Sequence, residues 1–373
     1  MKIIPTSLGY VKQFDGLRAV AVLMVIVSHW FPNLSINKIG LGAIGVDIFF
    51  VLSGFLISRI LITEKIKYEN SPNNYSRLNA IKNFIIRRSL RIFPVYYLLL
   101  FLLIFFNKFL PNPIAQDWPW YFLYIQNILF YINQSWPGGK LSHLWSLAVE
   151  EQFYLIWPWV ILFISQKWLF KVIVFFFFIG IASVYFLSIL NKGYNFDLLT
   201  SSFLQTFSAG GILAYFHIYN KHSFSKYNKV FMFLGLLACF HFIFINFGLL
   251  ESVIDSRTII SIITVGLISL ILVNSEAIYL RYILGNNPIV FIGKISYGIY
   301  LFHNFIPLLL NSFLHFMAKH SLVFSLLKYN TNLYEQGDYF YIICFVILFF
   351  LAIISFFLFE SPINRVKKYF NYS

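Results

Sequence analysis

Two side chains with chemical capacity share one apolar stretch, FDGLRAVAVLMVIVSHW at residues 14–30, with Arg18 near its start and His29 near its end. Eleven residues on a helix turn through about 1100°, so guanidinium and imidazole fall within roughly 20° of one face, about 16 Å apart. An imidazole titrates near neutral pH and serves as a general base. A cation and an imidazole on one stripe of a lipid-facing helix are costly unless the stripe meets protein or water. The plainer alternative has Arg18 snorkelling to lipid headgroups and His29 resting in the opposite interface.

Other apolar stretches carry further candidates. GVDIFFVLSGFLIS holds Asp47 and Ser53. LSHLWSLAVEEQFYLIWP holds Ser146 and Glu150, one helical turn apart on one face. GKISYGIYLFHNFIP holds His303, with Pro307 after it to bend a helix. Rise per residue puts His29, Asp47 and Glu150 in the outer half of a membrane, which points to a shared polar cavity. Plainer roles are open for some of these positions. His143 and Trp145 suit an interfacial helix end, Gly54 suits a close helix contact, and Glu150-Glu151 suits a solvated helix start. Arg87, Arg88 and Arg91 are spaced to neighbour one another on a helix. They read either as a topogenic cluster on anionic lipid or as a cytosolic site for a phosphorylated ligand.

The elements that must position these groups are membrane helices. Of 373 residues, 59% are hydrophobic and only 11% are charged, against about 25% charged in a soluble domain. The fold class is therefore all-α, a polytopic membrane protein. Spans are expected near 14–32, 40–63, 90–107, 145–165, 168–190, 200–219, 228–248, 256–276, 290–316 and 338–360. Ten spans put both termini on one side. With the N-terminus inside, the outer segments hold Lys38, Lys108, Lys140, Lys192, Arg257, Lys319 and Lys328, and the remainder of the 28 basic residues fall inside. That bias favours cytoplasmic termini, and it reads the net charge of +14 as topological, with no nucleic-acid partner. The first span lacks a small-residue cleavage site and reads as retained. Cys239 and Cys344 sit in apolar runs and indicate no disulfide framework.

Two connections look long. The inner one, Glu64 to Ser89, contains NSPNN and runs into the arginine cluster. The outer one, Lys108 to Leu144, contains WPWYFLYIQNILFYI, which reads as a re-entrant or interfacial helix before the turn Pro137-Gly138-Gly139. Residues 1–373 form one domain, with no internal repeat.

FDGLRAVAVLMVIVSH, GVDIFFVLSGFLIS, RRSLRIFPVYY, LWSLAVEEQFYLIWP and ISYGIYLFH, in that order and spacing, resemble the acyltransferase-3 family of integral-membrane acyltransferases. The resemblance covers nearly the whole chain. It implies transfer of an acyl group, most often acetyl, from cytosolic acyl-CoA to a carbohydrate hydroxyl outside a bacterial inner membrane, with no metal. The family's arginine–histidine motif corresponds to Arg18 and His29, and its basic cluster to Arg87, Arg88 and Arg91. Ser53 to Leu56 match its SGFL element, and Ser146 and Glu150 its serine-to-glutamate element. Phe302 stands before His303 where many relatives carry Trp. Some relatives append a periplasmic hydrolase-like domain. This chain ends soon after Glu360-Ser361-Pro362, so the resemblance leaves room for a separate periplasmic partner in the final transfer.

The residue chemistry agrees with that implication. Acyl transfer to a hydroxyl uses a base, which His29 supplies, and donors for an oxyanion, for which Ser53 and Tyr297 are candidates. Glu150 or Asp47 can orient the imidazole as a carboxylate does in a triad. Whether His29 acts as base or as covalent acyl carrier stays open. The rival class is a secondary transporter or exporter of a glycan or small polar molecule, which usually shows repeat symmetry between halves. Lipopolysaccharide, peptidoglycan, capsule and a small glycoside all remain as acceptors.

Overall fold

The computed structural model describes residues 9–105, 117–135, 139–190, 198–220, 223–251, 253–320 and 338–371, and these are almost entirely helical. In lipid a helix is the one open-ended way for a chain to satisfy its own backbone. The helices are α1 Lys12–Trp30, α2 Leu41–Asn70, α3 Arg77–Phe105, α4 Trp118–Phe122, α5 Gln126–Asn133, α6 Trp145–Phe163 and α7 Gln166–Leu190. They continue as α8 Leu204–Tyr219, α9 Phe224–Asn246, α10 Ser256–Asn274, α11 Ile278–Ile283, α12 Asn287–Lys294, α13 Ser296–Phe302, α14 Phe305–His320 and α15 Asp338–Ser355. The turn at Pro137-Gly138, together with Lys108, Lys192, Lys328 and the side chains of Lys140 and Lys319, lies outside the described residues.

Among the described residues, six helices are long and apolar enough to cross a membrane: α2, α3, α7, α9, α10 and the stretch Tyr339–Tyr369 that contains α15. The 19-residue helices α1 and α6 also carry charges, Asp15 and Arg18 on one and Glu150 and Glu151 on the other. Their charged stretches face the bundle, while α6 leaves Leu155, Ile156, Trp159 and Phe163 exposed. The apolar window of α2 is 67% buried while that of α9 is 11% buried, so α2 is the hub and α9 faces lipid. Around α2 pack α1, α6, α8 and α10.

Glycine sets how closely the hub is approached. Gly54 of α2 lies on the backbone of Phe207, and Gly210 of α8 lies on the carbonyl of Val51. A Cβ at either position would overlap main chain. This is the small-residue contact that lets membrane helices meet without a hydrophobic driving force. Gly54→Val is expected to cost about 1–3 kcal/mol, the usual range for overpacking, read as a lower unfolding temperature in detergent. An unchanged unfolding temperature would contradict this contact.

Three expectations are corrected. The inner loop shrinks to residues 71–76, because α2 runs on to Asn70 and α3 starts at Arg77. Lys65, fully buried, explains the extension: its Nζ donates to the carbonyls of Leu162 (3.3 Å) and Ile164 (2.5 Å) and pairs with Glu69 at 3.2 Å. A cation there satisfies carbonyls at the end of α6. The arginine cluster consequently lies well inside α3 and not at its start.

The expected ninth span, 290–316, is broken into α12, α13 and α14. Pro307 has no N–H to give the carbonyl of His303, four residues back, and its ring would clash with that carbonyl in a continuous helix. The freed carbonyl accepts from Trp30 Nε1 at 2.9 Å. The run WPWYFLYIQNILFYI also forms two short helices, α4 and α5, joined at Tyr124 with φ 54°. It folds back onto α3 and α6: Tyr96 Oη donates to the Tyr121 carbonyl at 2.9 Å, and Gln152 Nε2 to the Tyr124 carbonyl at 2.8 Å.

Candidate active site

A cavity of about 90 Å³ opens between α1, α2, α3, α6 and α13, with Arg18, Arg88, Arg91, Ser53, Ser146, Glu150 and Tyr154 in its wall. Three guanidinium groups face one carboxylate there. Arg18 Nη1 pairs with Asp15 Oδ1 at 2.6 Å, at the cavity's edge, and Tyr10 Oη donates to the other oxygen at 2.6 Å. Arg88 lies over the rings of Phe84 and Tyr154, 5.5 and 5.4 Å from their centroids. Glu150 Oε1 accepts from Ser53 Oγ at 2.8 Å and from the hydroxyl of Tyr154. The Glu150–Tyr154 bond is an i, i+4 contact within α6, while Ser53 reaches across from α2. Excess positive charge in a low-dielectric wall is suited to an anionic ligand.

Beyond this cavity stands a cluster of histidines. His29, on the last turn of α1, is solvent-exposed. Its Nδ1 lies 2.9 Å from the Val25 carbonyl and 3.3 Å from Nε2 of His303. His303 is fully buried, with Nδ1 2.6 Å from the Tyr300 carbonyl. His143, 2% exposed, packs against it with ring centroids 4.8 Å apart. Its Nε2 is 3.2 Å from the Leu301 carbonyl and its Nδ1 is 3.1 Å from Asn304 Nδ2. Ser146 and Tyr300 join the two regions. Their hydroxyls are 2.5 Å apart in the cavity wall, and each reaches the His143 carbonyl, at 3.2 and 3.0 Å.

The structure therefore divides the sequence-derived constellation. Arg18, Arg88, Arg91, Ser53, Ser146 and Glu150 line one cavity. Arg87 turns to the C-terminal segment, where Nη1 donates to the carbonyls of Lys367 (2.8 Å) and Phe370 (3.3 Å). Asp47 lies 3.3 Å from Arg257 Nε on α10, and that guanidinium stacks 3.8 Å from the Phe203 ring. The ring beside His29 is that of His303, while the expected partner Glu150 is bonded to Ser53 and Tyr154. Tyr297, a candidate oxyanion donor, gives its hydroxyl to the Ile92 carbonyl at 2.6 Å. Tyr154 and Tyr300 are the cavity-lining hydroxyls the sequence reading passes over. Their signals are spacings, four residues after Glu150 and three before His303.

A family model described as an acyltransferase domain matches residues 11–361. Peptidoglycan O-acetyltransferase OatA of Listeria monocytogenes is 31% identical over 80% of this chain and 49% of its own length. O-acetyltransferase OatA of Staphylococcus aureus is 31% identical over 95% of this chain and 57% of its own length. The chain thus spans about half the length of the curated relatives it matches. No solved structure matches it. A match over nearly all of the described membrane bundle, arginine cavity and histidine cluster included, means that this chain belongs to the acyltransferase-3 family of membrane acyltransferases.

Proposed function

We propose that the protein transfers an acetyl group from cytosolic acetyl-CoA to a hydroxyl of a cell-wall carbohydrate, with peptidoglycan as the favoured acceptor. The acceptor class follows from the name that the Listeria relative carries. The observation that carries the reaction is the layout of α1, with Arg18 in a cationic cavity at one end and His29 exposed at the other. Arg88 and Arg91 join Arg18 in binding donor phosphates, because guanidinium forks fit phosphate oxygens.

His29 performs the transfer. As a base, its Nε2 takes the proton of the acceptor hydroxyl while that oxygen bonds to the acyl carbon. The CoA thiolate leaves and takes the proton back, giving ester and free thiol. The covalent route, in which Nε2 carries the acyl group first, uses the same lone pair. Asp47, paired to Arg257, and Glu150, paired to Ser53, hold the helices that frame this path.

For this chemistry we infer ten membrane segments with both termini in the cytoplasm of a bacterial inner membrane, so that donor and acceptor meet from opposite sides. Phe305–Leu314 is a shorter apolar helix beside the six long ones, α1, α6 and α8 bring the number to ten, and the basic residues cluster as an inner face requires. Tags at the C-terminus and within residues 70–76 are expected to report the cytoplasm. A periplasmic C-terminus would overturn the even count. The function itself is tested with radiolabelled acetyl-CoA on inverted vesicles supplied with peptidoglycan fragments. Label should appear as alkali-labile ester on glycan. Glycan crossing the vesicle membrane unmodified, with no ester formed, would support the transporter class instead.

A further inference from the structure

We propose that His303 is a positioning residue for His29: as a second acceptor sharing Nδ1–H of His29 with the Val25 carbonyl, it strengthens the tautomer that leaves Nε2 of His29 with its lone pair. The proposal rests on the acyl-transfer reading only for its kinetic consequence, because the tautomer can be observed without any reaction.

Hydrogen positions follow from the carbonyls around the rings. A carbonyl oxygen only accepts, so a ring nitrogen within bonding distance of one carries the hydrogen. Nδ1 of His303 is 2.6 Å from the Tyr300 carbonyl and is therefore N–H. A neutral imidazole has one hydrogen, which leaves Nε2 of His303 as an acceptor. Nδ1 of His29 is 2.9 Å from the Val25 carbonyl, so it too is N–H. At 3.3 Å, then, a donor on His29 faces an acceptor on His303. A protonated His303 would instead set N–H against N–H, in a residue with no solvent exposure.

The surroundings keep His303 in that role. Trp30 Nε1 donates to its backbone carbonyl at 2.9 Å, beside the break that Pro307 imposes. His143 closes the other side of the ring. Its Nε2 lies 3.2 Å from the Leu301 carbonyl and its Nδ1 3.1 Å from Asn304 Nδ2. Carboxylates commonly orient a catalytic imidazole, but Glu150 and Asp47 hold Ser53, Tyr154 and Arg257. A neutral acceptor does the orienting here. The residue that matters lies 274 positions from the one it serves.

Protein labelled with ¹⁵N-histidine, reconstituted in lipid nanodiscs, tests this directly, with His29→Gln assigning the His29 resonances. The wild type is expected to show neutral His29 protonated at Nδ1 alone. His303→Leu keeps the Val25 carbonyl and removes the acceptor, so the Nε2–H form of His29 should appear beside the first. His303→Gln retains an acceptor oxygen and should restore the single form. In the acetyl-transfer assay, His303→Leu should lower kcat by the fraction of His29 that leaves the Nδ1–H form, about 2–10-fold, with KM for acetyl-CoA unchanged. Gln should recover part of kcat. A His303→Leu spectrum identical to wild type at His29, or a wild type protonated at Nε2, overturns the proposal. A tautomer shift as described, with no acetyl transfer by the wild type, would uphold the positioning and sink the acyl-transfer reading.

Discussion

His29→Gln is expected to reduce acetyl transfer by roughly 10²–10⁴-fold, the contribution of a general base, while leaving expression and membrane insertion unchanged. The two halves of that expectation have separate grounds. The side chain is exposed at the end of α1, so its replacement removes little packing, and exposed substitutions usually change stability by under about 0.5 kcal/mol. Glutamine keeps a donor that can reach the Val25 carbonyl and His303 but cannot take a proton at neutral pH. The comparison therefore separates hydrogen bonding from proton transfer. His29→Ala should match Gln closely, since both lack the lone pair that either the base or the covalent route requires. Initial rates with labelled acetyl-CoA in vesicles, normalised to inserted protein, decide it. Near-normal transfer by the Gln variant would return His29 to an interfacial role.

Sequence reading reaches the parts of this site that are local. Arg18 and His29 share a helix, so their separation follows from helical geometry, and the structure has α1 running from Lys12 to Trp30. Ser146 and Glu150 are likewise one turn apart on α6, and both line the cavity. Gly54 is legible as a helix contact because small residues in apolar helices have few other uses. Composition alone identifies a polytopic all-helical protein.

Partners drawn from distant helices are a different matter. Arg257 counts in the sequence as a charge in an outer segment, yet it pairs with Asp47 across 210 positions of chain. Arg87 looks equivalent to Arg88 and Arg91, yet it lies about 100° around α3 from Arg88, and its guanidinium is taken up by backbone carbonyls near the C-terminus. Lys65 reads as a loop residue because lysine is rarely buried. Two carbonyls at the end of α6 make its burial tolerable, and no feature of residues 60–70 announces them. The break at His303 is half legible: Pro307 signals a bend, while the acceptor of the freed carbonyl, Trp30, comes from the first helix.

The cavity's charge imbalance leads to the second large effect. Arg91→Ala is expected to lower kcat/KM for acetyl-CoA by about 10–10²-fold, since a hydrogen bond to a charged group is worth roughly 1.5–3 kcal/mol. The loss should fall mainly on KM. Arg91→Lys should recover only part, because an ammonium lacks the planar fork. Arg91 also shares its wall with Glu150, so the alanine variant could fail simply by leaving that carboxylate poorly compensated. The double variant Arg91→Ala/Glu150→Gln separates the two causes. If Arg91 binds donor phosphate, neutralising Glu150 leaves KM for acetyl-CoA high. If Arg91 only balances Glu150, the double variant returns KM to the wild-type value. Stabilisation of the detergent-solubilised protein by free CoA gives the same answer without turnover. The ligand should raise the unfolding temperature of the wild type and of Glu150→Gln, and fail to do so for either variant that lacks Arg91. Equal stabilisation of all four would remove Arg91 from the donor site.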